Sequence, residues 1–182
     1  MRSVVKSILV LFLVVFVSGC KEEKAEVVKV PETINGYVLP PEPDEILNNS
    51  TLLGIDSNDN GVRDDVERKI IITYREPIKI ELMMSYAKLG QEILKNPVSL
   101  AIEHGNKGTR ILNCKMYLRR QNIKIENAID FFENNTFNTK QRVRTYLDHN
   151  LALSGGVYGS SINERNTQSC DFDVEQMLND RK

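Results

Sequence analysis

Residues 78–95 read IKIELMMSYAKLGQEILK, and apolar side chains return along this stretch every three or four positions. A period near 3.6 residues is that of an amphipathic α-helix with one buried face. The apolar positions are Ile78, Leu82, Met83, Tyr86, Ala87, Leu89, Ile93 and Leu94. This spacing recurs along the chain, and no stretch alternates at period two for more than four residues. The sequence therefore predicts an all-α fold, a small helical bundle.

The helices on either side of this one are predicted from the same spacing and from start and stop signals. Residues 62–74 carry an apolar side chain at every fourth position, and Pro77 ends that helix. Asn96-Pro97 is typical of a helix start. Gly105 and Gly108 then predict that the helix opened there is short.

Four more helices are predicted towards the C-terminus. Three of them follow a predicted cap: Thr109 precedes a helix over 111–118, Asn138 one over 143–151, and Asp173 one over 174–178. The fourth covers residues 125–133, and Asn134-Asn135 is predicted to end it.

The N-terminus has the three parts of an export signal. Arg2 and Lys6 supply positive charge, and residues 8–17 (ILVLFLVVFV) are apolar without interruption. Ten helical residues span about 15 Å, half of a roughly 30 Å hydrocarbon core, which is too short for a membrane span. Residues 1–19 are therefore predicted to be a signal peptide.

Val17-Ser18-Gly19-Cys20 closes that segment and resembles the lipobox of bacterial lipoproteins. The resemblance implies cleavage before Cys20, a thioether-linked diacylglycerol on Cys20, and acylation of the new amine, with palmitate for example. Several acyl chains give a stable membrane anchor. In such lipoproteins an Asp directly after the lipidated Cys implies retention in the inner membrane. This chain has Lys21 at that position, which implies the outer membrane, on the side facing the periplasm. An uncleaved anchor, or an ordinary signal with an incidental Cys, is the alternative.

After the signal the chain is predicted to form a tether and one domain. Residues 20–43 are charged and then Pro-rich, which is typical of a flexible tether, although residues 37–39 could dock locally. Residues 44–182 are predicted to form a helical domain with a core. Without its signal the chain has 22 basic and 25 acidic residues, so its net charge is about −3. That balance does not favour nucleic acid as a partner.

Residues 56–67 read DSNDNGVRDDVE and fit D-x-[DN]-x-[DN]-G-x5-E at every specified position. Calcium takes six to eight oxygen ligands at about 2.3 to 2.6 Å. The expected ligands are Asp56, Asn58, Asn60, the Val62 carbonyl, Asp64 and Glu67. Gly61 permits the sharp turn, and Glu67 can bind through both oxygens. Calcium is therefore the predicted cofactor, and the alternative is an Asx-rich turn that caps the next helix without metal.

This loop resembles the calcium loops of the EF-hand family over twelve of 182 residues. It differs in having Arg63 at the eighth position, which is usually aliphatic, and in having no second loop. The segment before it, residues 48–55, is a poor helix former. The resemblance therefore implies a loop with an exit helix only, as in dockerin-like repeats, and weak extracellular affinity of roughly 10⁻⁵ to 10⁻³ M.

Besides Cys20 the chain has only Cys114 and Cys170. In an oxidising compartment two such residues are more often paired than free, so a disulfide between them is expected. Two separately buried thiols remain the alternative.

No catalytic residues are predicted. His104 and His149 are isolated in the sequence, so zinc is not expected. Residues 155–161 resemble a phosphate-binding loop only in composition and favour a flexible connector. The leading hypothesis is an envelope-anchored, non-enzymatic binding or scaffolding protein with an envelope protein as partner. The alternative is a periplasmic hydrolase, which would need a carboxyl of raised pKa in a cleft.

Overall fold

The computed structural model describes residues 32–159 and 161–181, all within the unit Pro31–Lys182. The predicted signal peptide, Cys20 and residues 21–31 lie outside the described residues. The elements are β1 (Thr33–Ile34), β2 (Tyr37–Val38), α1 (Glu45–Ser50), α2 (Asp64–Thr73), α3 (Pro77–Lys95), α4 (Ala101–Arg120), α5 (Ala128–Thr136), α6 (Lys140–Ala152) and α7 (Val174–Asn179). The all-α prediction is confirmed. None of the described helices is long and apolar enough to cross a membrane.

Helix α3 is the centre of the bundle and contacts α2, α4, α5, α6 and α7. Pro77 occupies its first turn, where a missing N–H costs nothing, so the residue predicted to end α2 also starts α3. All eight apolar residues of the predicted stripe are buried. Burial of such side chains contributes about 1.5 to 3 kcal/mol each, which makes α3 the main source of core stability.

The prediction of two helices between Asn96 and Leu118 is wrong, because α4 runs unbroken from Ala101 to Arg120. Asn96 is the C-cap of α3 and not the start of a helix. Gly105 and Gly108 lie inside α4, where they serve packing. A Cβ on Gly105 would come within 2.6 Å of the Tyr158 ring. Close contact with Tyr158 therefore explains a glycine that local propensity interprets as a breaker.

Helix α6 differs from its prediction in its cap and in the face it buries. Thr139, not Asn138, is the N-cap, and its hydroxyl accepts from the Arg142 N–H. The inward face carries Arg142, Tyr146 and His149. The aliphatic side chains Val143, Leu147 and Leu151 are exposed instead.

Part of the predicted tether lies against the domain. β1 and β2 form an antiparallel hairpin that pairs Thr33 with Val38. Leu39 joins the core, and the Tyr37 hydroxyl donates to Glu81 of α3 at 2.8 Å. The local docking expected for residues 37–39 is therefore observed.

The C-terminal segment is held to α4 by the disulfide between Cys114 and Cys170, as predicted. The two Cα atoms lie 4.9 Å apart. Asp173 caps α7 by accepting from the Gln176 N–H at 2.9 Å, also as predicted. The link attaches a tail with few apolar side chains of its own to the bundle.

Candidate metal centre

Residues 51–63 are non-helical and lead directly into α2, so no helix enters the candidate loop. The turn depends on two residues with positive φ, Asp59 at 54° and Gly61 at 84°. Residues with a side chain rarely adopt the φ of Gly61, which explains why glycine occupies that position. The loop closes where the Asp64 N–H donates to the Ile55 carbonyl at 2.8 Å.

Two of the three candidate carboxylates are held by backbone N–H groups of the loop. Asp56 accepts from the N–H of Gly61 at 2.9 Å and from the N–H of Asn60 at 3.2 Å. Asp64, which is buried, accepts from the Ser57 N–H at 3.0 Å. Both carboxylates are therefore positioned by the fold of the loop itself.

The third carboxylate, Glu67, is buried and lies where the loop side chains meet. Its Oε2 accepts from the side-chain amides of Asn60 at 2.8 Å and Asn58 at 3.2 Å. Burial raises the pKa of Glu67, the two amide donors lower it, and the charges of Asp64 and Asp56 raise it further. Negative charge is thus concentrated at this point, and a cation there would be favoured.

The donor set suits a hard cation. Three carboxylates, two carboxamide oxygens and the Val62 carbonyl make six oxygen donors, the lower end of the range for calcium. The Oδ1 atoms of Asn58 and Asn60 each accept one backbone N–H, which leaves each a second lone pair. Among residues 32–159 and 161–181, no three His, Cys, Asp or Glu side chains are by themselves placed to hold a metal ion. Binding here would therefore use the amide and carbonyl oxygens as well.

Arg63, the unusual eighth residue of the loop, is fully buried and points into the helical body. Its guanidinium pairs with Asp65 and donates to the carbonyls of Asn135 at 2.7 Å and Thr136 at 3.2 Å. Those carbonyls are the last of α5, where the helix dipole favours a cation. Arg63 therefore joins the loop to the C-terminal end of α5.

Arg142 of α6 is equally buried and holds the segment before the loop. Its guanidinium donates to the carbonyls of Asn48 at 2.7 Å, Leu52 at 2.9 Å and Thr51 at 3.1 Å. Burial, and next the charge of Arg63, lowers the pKa of Arg142 to about 10. The segment entering the loop is thus fixed by a charged side chain that lies 90 residues away in sequence from Leu52.

Asn138 connects the two arginines, because its Oδ1 accepts from Arg142 at 2.6 Å and from Arg63 at 3.2 Å. Gly54 lies beside them with φ 72°, and a Cβ there would come within 2.2 Å of the Arg63 side chain. We call Arg63, Asn138 and Arg142 the arginine cluster. The sequence did not predict this cluster, and its only signal was an Arg where EF-hand loops are aliphatic.

The two histidines that looked isolated in the sequence lie together. His104 of α4 and His149 of α6 are both buried, with ring centroids 5.5 Å apart. The carboxyl of Glu67, whose pKa is raised by burial, lies in the candidate loop, away from both histidines in sequence.

The chain matches no protein-family model, and neither a curated protein nor a solved structure shows significant similarity to it.

Proposed function

We propose that this protein is a lipoprotein anchored in the bacterial envelope through Cys20, facing the periplasm. Its helical domain binds calcium at residues 56–67 as a structural ion and acts as a non-enzymatic binding or scaffolding module. The observation that carries the calcium part is the meeting of the Asn58 and Asn60 side-chain amides at Glu67, with the charges of Asp64 and Asp56 close enough to raise its pKa. Calcium would take the place of the two amide N–H donors, with the amide oxygens turned towards it.

The arginine cluster supports a structural role for the ion. An ion in the loop would fix the start of α2, and Arg63 would transmit that order to α5 and α6. A sensor that exposes a groove needs a loop free to move between two states. The buried anchorage of Arg63 favours a constitutive ion.

The outer face of α6 supports a binding role. Val143, Leu147 and Leu151 follow one another at intervals of four residues and are 43%, 59% and 74% exposed. Single exposed aliphatic residues are ordinary, whereas a continuous stripe on one helix is typical of a contact surface. Lys140, Arg144 and Glu133 line the groove beside it, two positive charges against one negative, so the surface suits an apolar partner with some acidic side chains.

The calcium part is tested by thermal unfolding of the purified full chain, first emptied with chelator. Binding to the folded state alone adds about 2.7 kcal/mol at a hundred times Kd, so the melting temperature should rise several degrees in millimolar calcium. Magnesium should do much less, because it needs a tighter octahedron of about 2.1 Å. A melt that calcium leaves unchanged would make the loop an ordinary capped turn.

Two variants separate a ligand from a mere charge. Glu67→Gln should remove most of the calcium shift while the metal-free protein stays folded, because Gln keeps helix propensity and loses the charge. Asp59→Asn is the matched control, since Asp59 is exposed, is not an expected ligand, and has a left-handed backbone that Asn also adopts. Equal calcium shifts in the two variants would contradict the ligand assignment.

The anchor is tested by Cys20→Ser, followed by fatty-acid labelling and fractionation of the envelope. We expect no lipid label and accumulation of unprocessed precursor. Normal processing with membrane retention would rule out the lipoprotein assignment.

The binding surface is tested with a photo-crosslinking amino acid placed at Leu147 in living cells. A discrete crosslinked envelope protein is expected, and the same group at Ile102, which is 67% exposed on α4, is the control. Identical patterns from both positions would mean that the α6 face is not a specific surface.

A further inference from the structure

An open cavity of about 240 Å³ lies between the helices at the surface of the bundle, away from the calcium loop. Helices α3, α4, α5 and α6 form its walls, and residues 153–159 border it. The apolar part of the wall includes Leu89, Ile93, Leu112, Ile129, Phe132 and Leu153. Such a wall suits the body of a small apolar molecule.

The glycines of α4 contribute to this space. Gly108 lines the cavity, and a Cβ there would meet only Leu89, at 3.5 Å. Gly105 instead lies against the ring of Tyr158, which also lines the cavity. A larger residue at position 108 would therefore enter the cavity without a steric clash at its Cβ.

Two residues that line the cavity each have a buried polar atom without a hydrogen-bond partner. These atoms are the hydroxyl of Tyr86, whose residue is 4% exposed, and Nδ1 of His104, whose residue is 2% exposed. Neither has a hydrogen-bond partner among the described residues. Burying such a group unpaired costs about 1 to 3 kcal/mol, so a ligand that reached either atom would make a hydrogen bond that the described residues leave unmade.

The neighbouring His149 defines the chemistry of the wall. Its Nδ1 lies 3.0 Å from the Pro97 carbonyl, which can only accept, so Nδ1 donates to that carbonyl. Burial and the nearby His149 lower the pKa of His104, and burial raises the pKa of Tyr86. Both shifts favour the uncharged forms of His104 and Tyr86 at neutral pH.

Charged groups near His104 come from α3 and α4, where Lys107 pairs with Glu92 at 2.7 Å and with Glu103 at 3.2 Å. Among the described residues that line the cavity, none is Asp, Glu, Lys or Arg. An ionic ligand would consequently lose its hydration without touching an opposite charge, which disfavours it.

We propose that this cavity binds a small uncharged organic molecule with a body the size of one ring and a single hydroxyl or carbonyl group. A volume of about 240 Å³ accommodates a ring with one or two substituents, since about 150 Å³ is enough for benzene, and the open side leaves room for a substituent to reach solvent. The ligand oxygen accepts from the Tyr86 hydroxyl, beside His104, and the ring packs against the aliphatic and aromatic wall. This site is independent of calcium and of the lipid anchor.

The test uses the fact that the full chain has only two histidines, both at this site. Their ring signals are followed by NMR on the full chain in detergent while 4-methylphenol is added, with toluene as the matched probe without an oxygen. We expect saturable shifts of the His104 ring, and toluene about tenfold weaker, the factor expected for one hydrogen bond. Partition into micelles changes the free probe concentration but not the comparison between variants.

Two variants locate the site. Gly108→Leu fills the cavity and should abolish binding, while Tyr86→Phe should reduce 4-methylphenol to the affinity of toluene. Should Gly108→Leu fail to fold, the Tyr86→Phe comparison still decides the question. No saturable shift, equal affinity for both probes, or unchanged binding in the variants would each overturn the proposal. Zinc that shifts both histidines where 4-methylphenol does not would overturn it as well.

Discussion

The arginine cluster and the cavity beside His104 and His149 are both buried and polar, yet they satisfy their polar atoms differently. In the cluster, the Arg63 and Arg142 guanidinium groups donate to backbone carbonyls, Asp65 and Asn side chains. At the cavity, the Tyr86 hydroxyl and His104 Nδ1 have no partner among the described residues.

This difference separates a region built to stay fixed from one able to accept a ligand. A buried charge whose hydrogen bonds are all made holds its neighbours in one geometry, and losing it leaves several acceptors unsatisfied. A buried neutral group without a partner costs stability until a ligand supplies one. Changes in the two regions should therefore have effects of very different size, and in one case of opposite sign.

Removing the arginine side chain should have the largest effect. Arg142→Met removes the donor from four oxygen acceptors, on Asn48, Asn49, Thr51 and Leu52, while Asn138 keeps its bond from Arg63. At about 1 kcal/mol each the free energy of unfolding should fall by about 4 kcal/mol. Chemical denaturation followed by circular dichroism measures it.

The control is Arg144→Met, on the exposed side of the same helix. It should change the free energy of unfolding by less than about 0.5 kcal/mol. Similar losses in both variants would mean that the hydrogen bonds of Arg142 are not what stabilises the loop.

The cavity side depends on a covalent link instead, because Cys114 lies on α4, the helix that carries His104. Cys114 and Cys170 are 56 residues apart, and the chain-entropy model gives their bond about 4 kcal/mol. Replacing both with Ser should lower the free energy of unfolding by nearly that amount. Denaturation of the double variant beside the reduced and oxidised wild-type protein checks the value, and indifference to reductant would contradict it.

Tyr86→Phe should change the free energy of unfolding in the opposite direction. The substitution keeps the ring and its contact with Phe132, whose centroid lies 5.6 Å away, and removes only the unpartnered hydroxyl. The ligand-free protein should therefore become about 1 kcal/mol more stable. If Tyr86→Phe instead lost about as much stability, the hydroxyl would have a hydrogen-bond partner in solution. The contrast between the two regions would then fail.

The smallest expected effect is a dependence of stability on pH. Burial and the nearby His149 lower the pKa of His104 from its ordinary 6.5, so below that value the unfolded chain binds more protons than the folded one. The contribution of His104 is complete above pH 6.5 and is lost as the pH falls towards its folded pKa. Denaturation at pH 5 to 8 in saturating calcium should show this slope, reduced in His104→Gln; parallel profiles would refute it.

The sequence predicted most of the helices because local spacing encodes them, but their ends less well: Asn134-Asn135, predicted to end α5, lie inside it, and the helix runs to Thr136. The stripe of α3 is buried as its period requires, and Asp173 caps α7. The prediction was wrong where tertiary contacts override a local preference. Gly105 does not break α4. It is there because the ring of Tyr158 packs where a side chain would otherwise lie. Asn138 does not cap α6, because Arg63 and Arg142 occupy its side-chain oxygen.

By itself the sequence determined the all-α class, the central helix and the twelve-residue loop pattern, since each depends on spacing along the chain, and the number of cysteines indicated the disulfide. Only the tertiary structure decided which face of α6 is buried, where Arg63 points, and that His104 and His149 meet. These arrangements join residues tens of positions apart. They depend on the hydrogen bonds that buried polar atoms form once the helices have packed. No local pattern records that outcome, because hydrogen bonding and desolvation of a side chain depend on neighbours that the sequence does not place beside it.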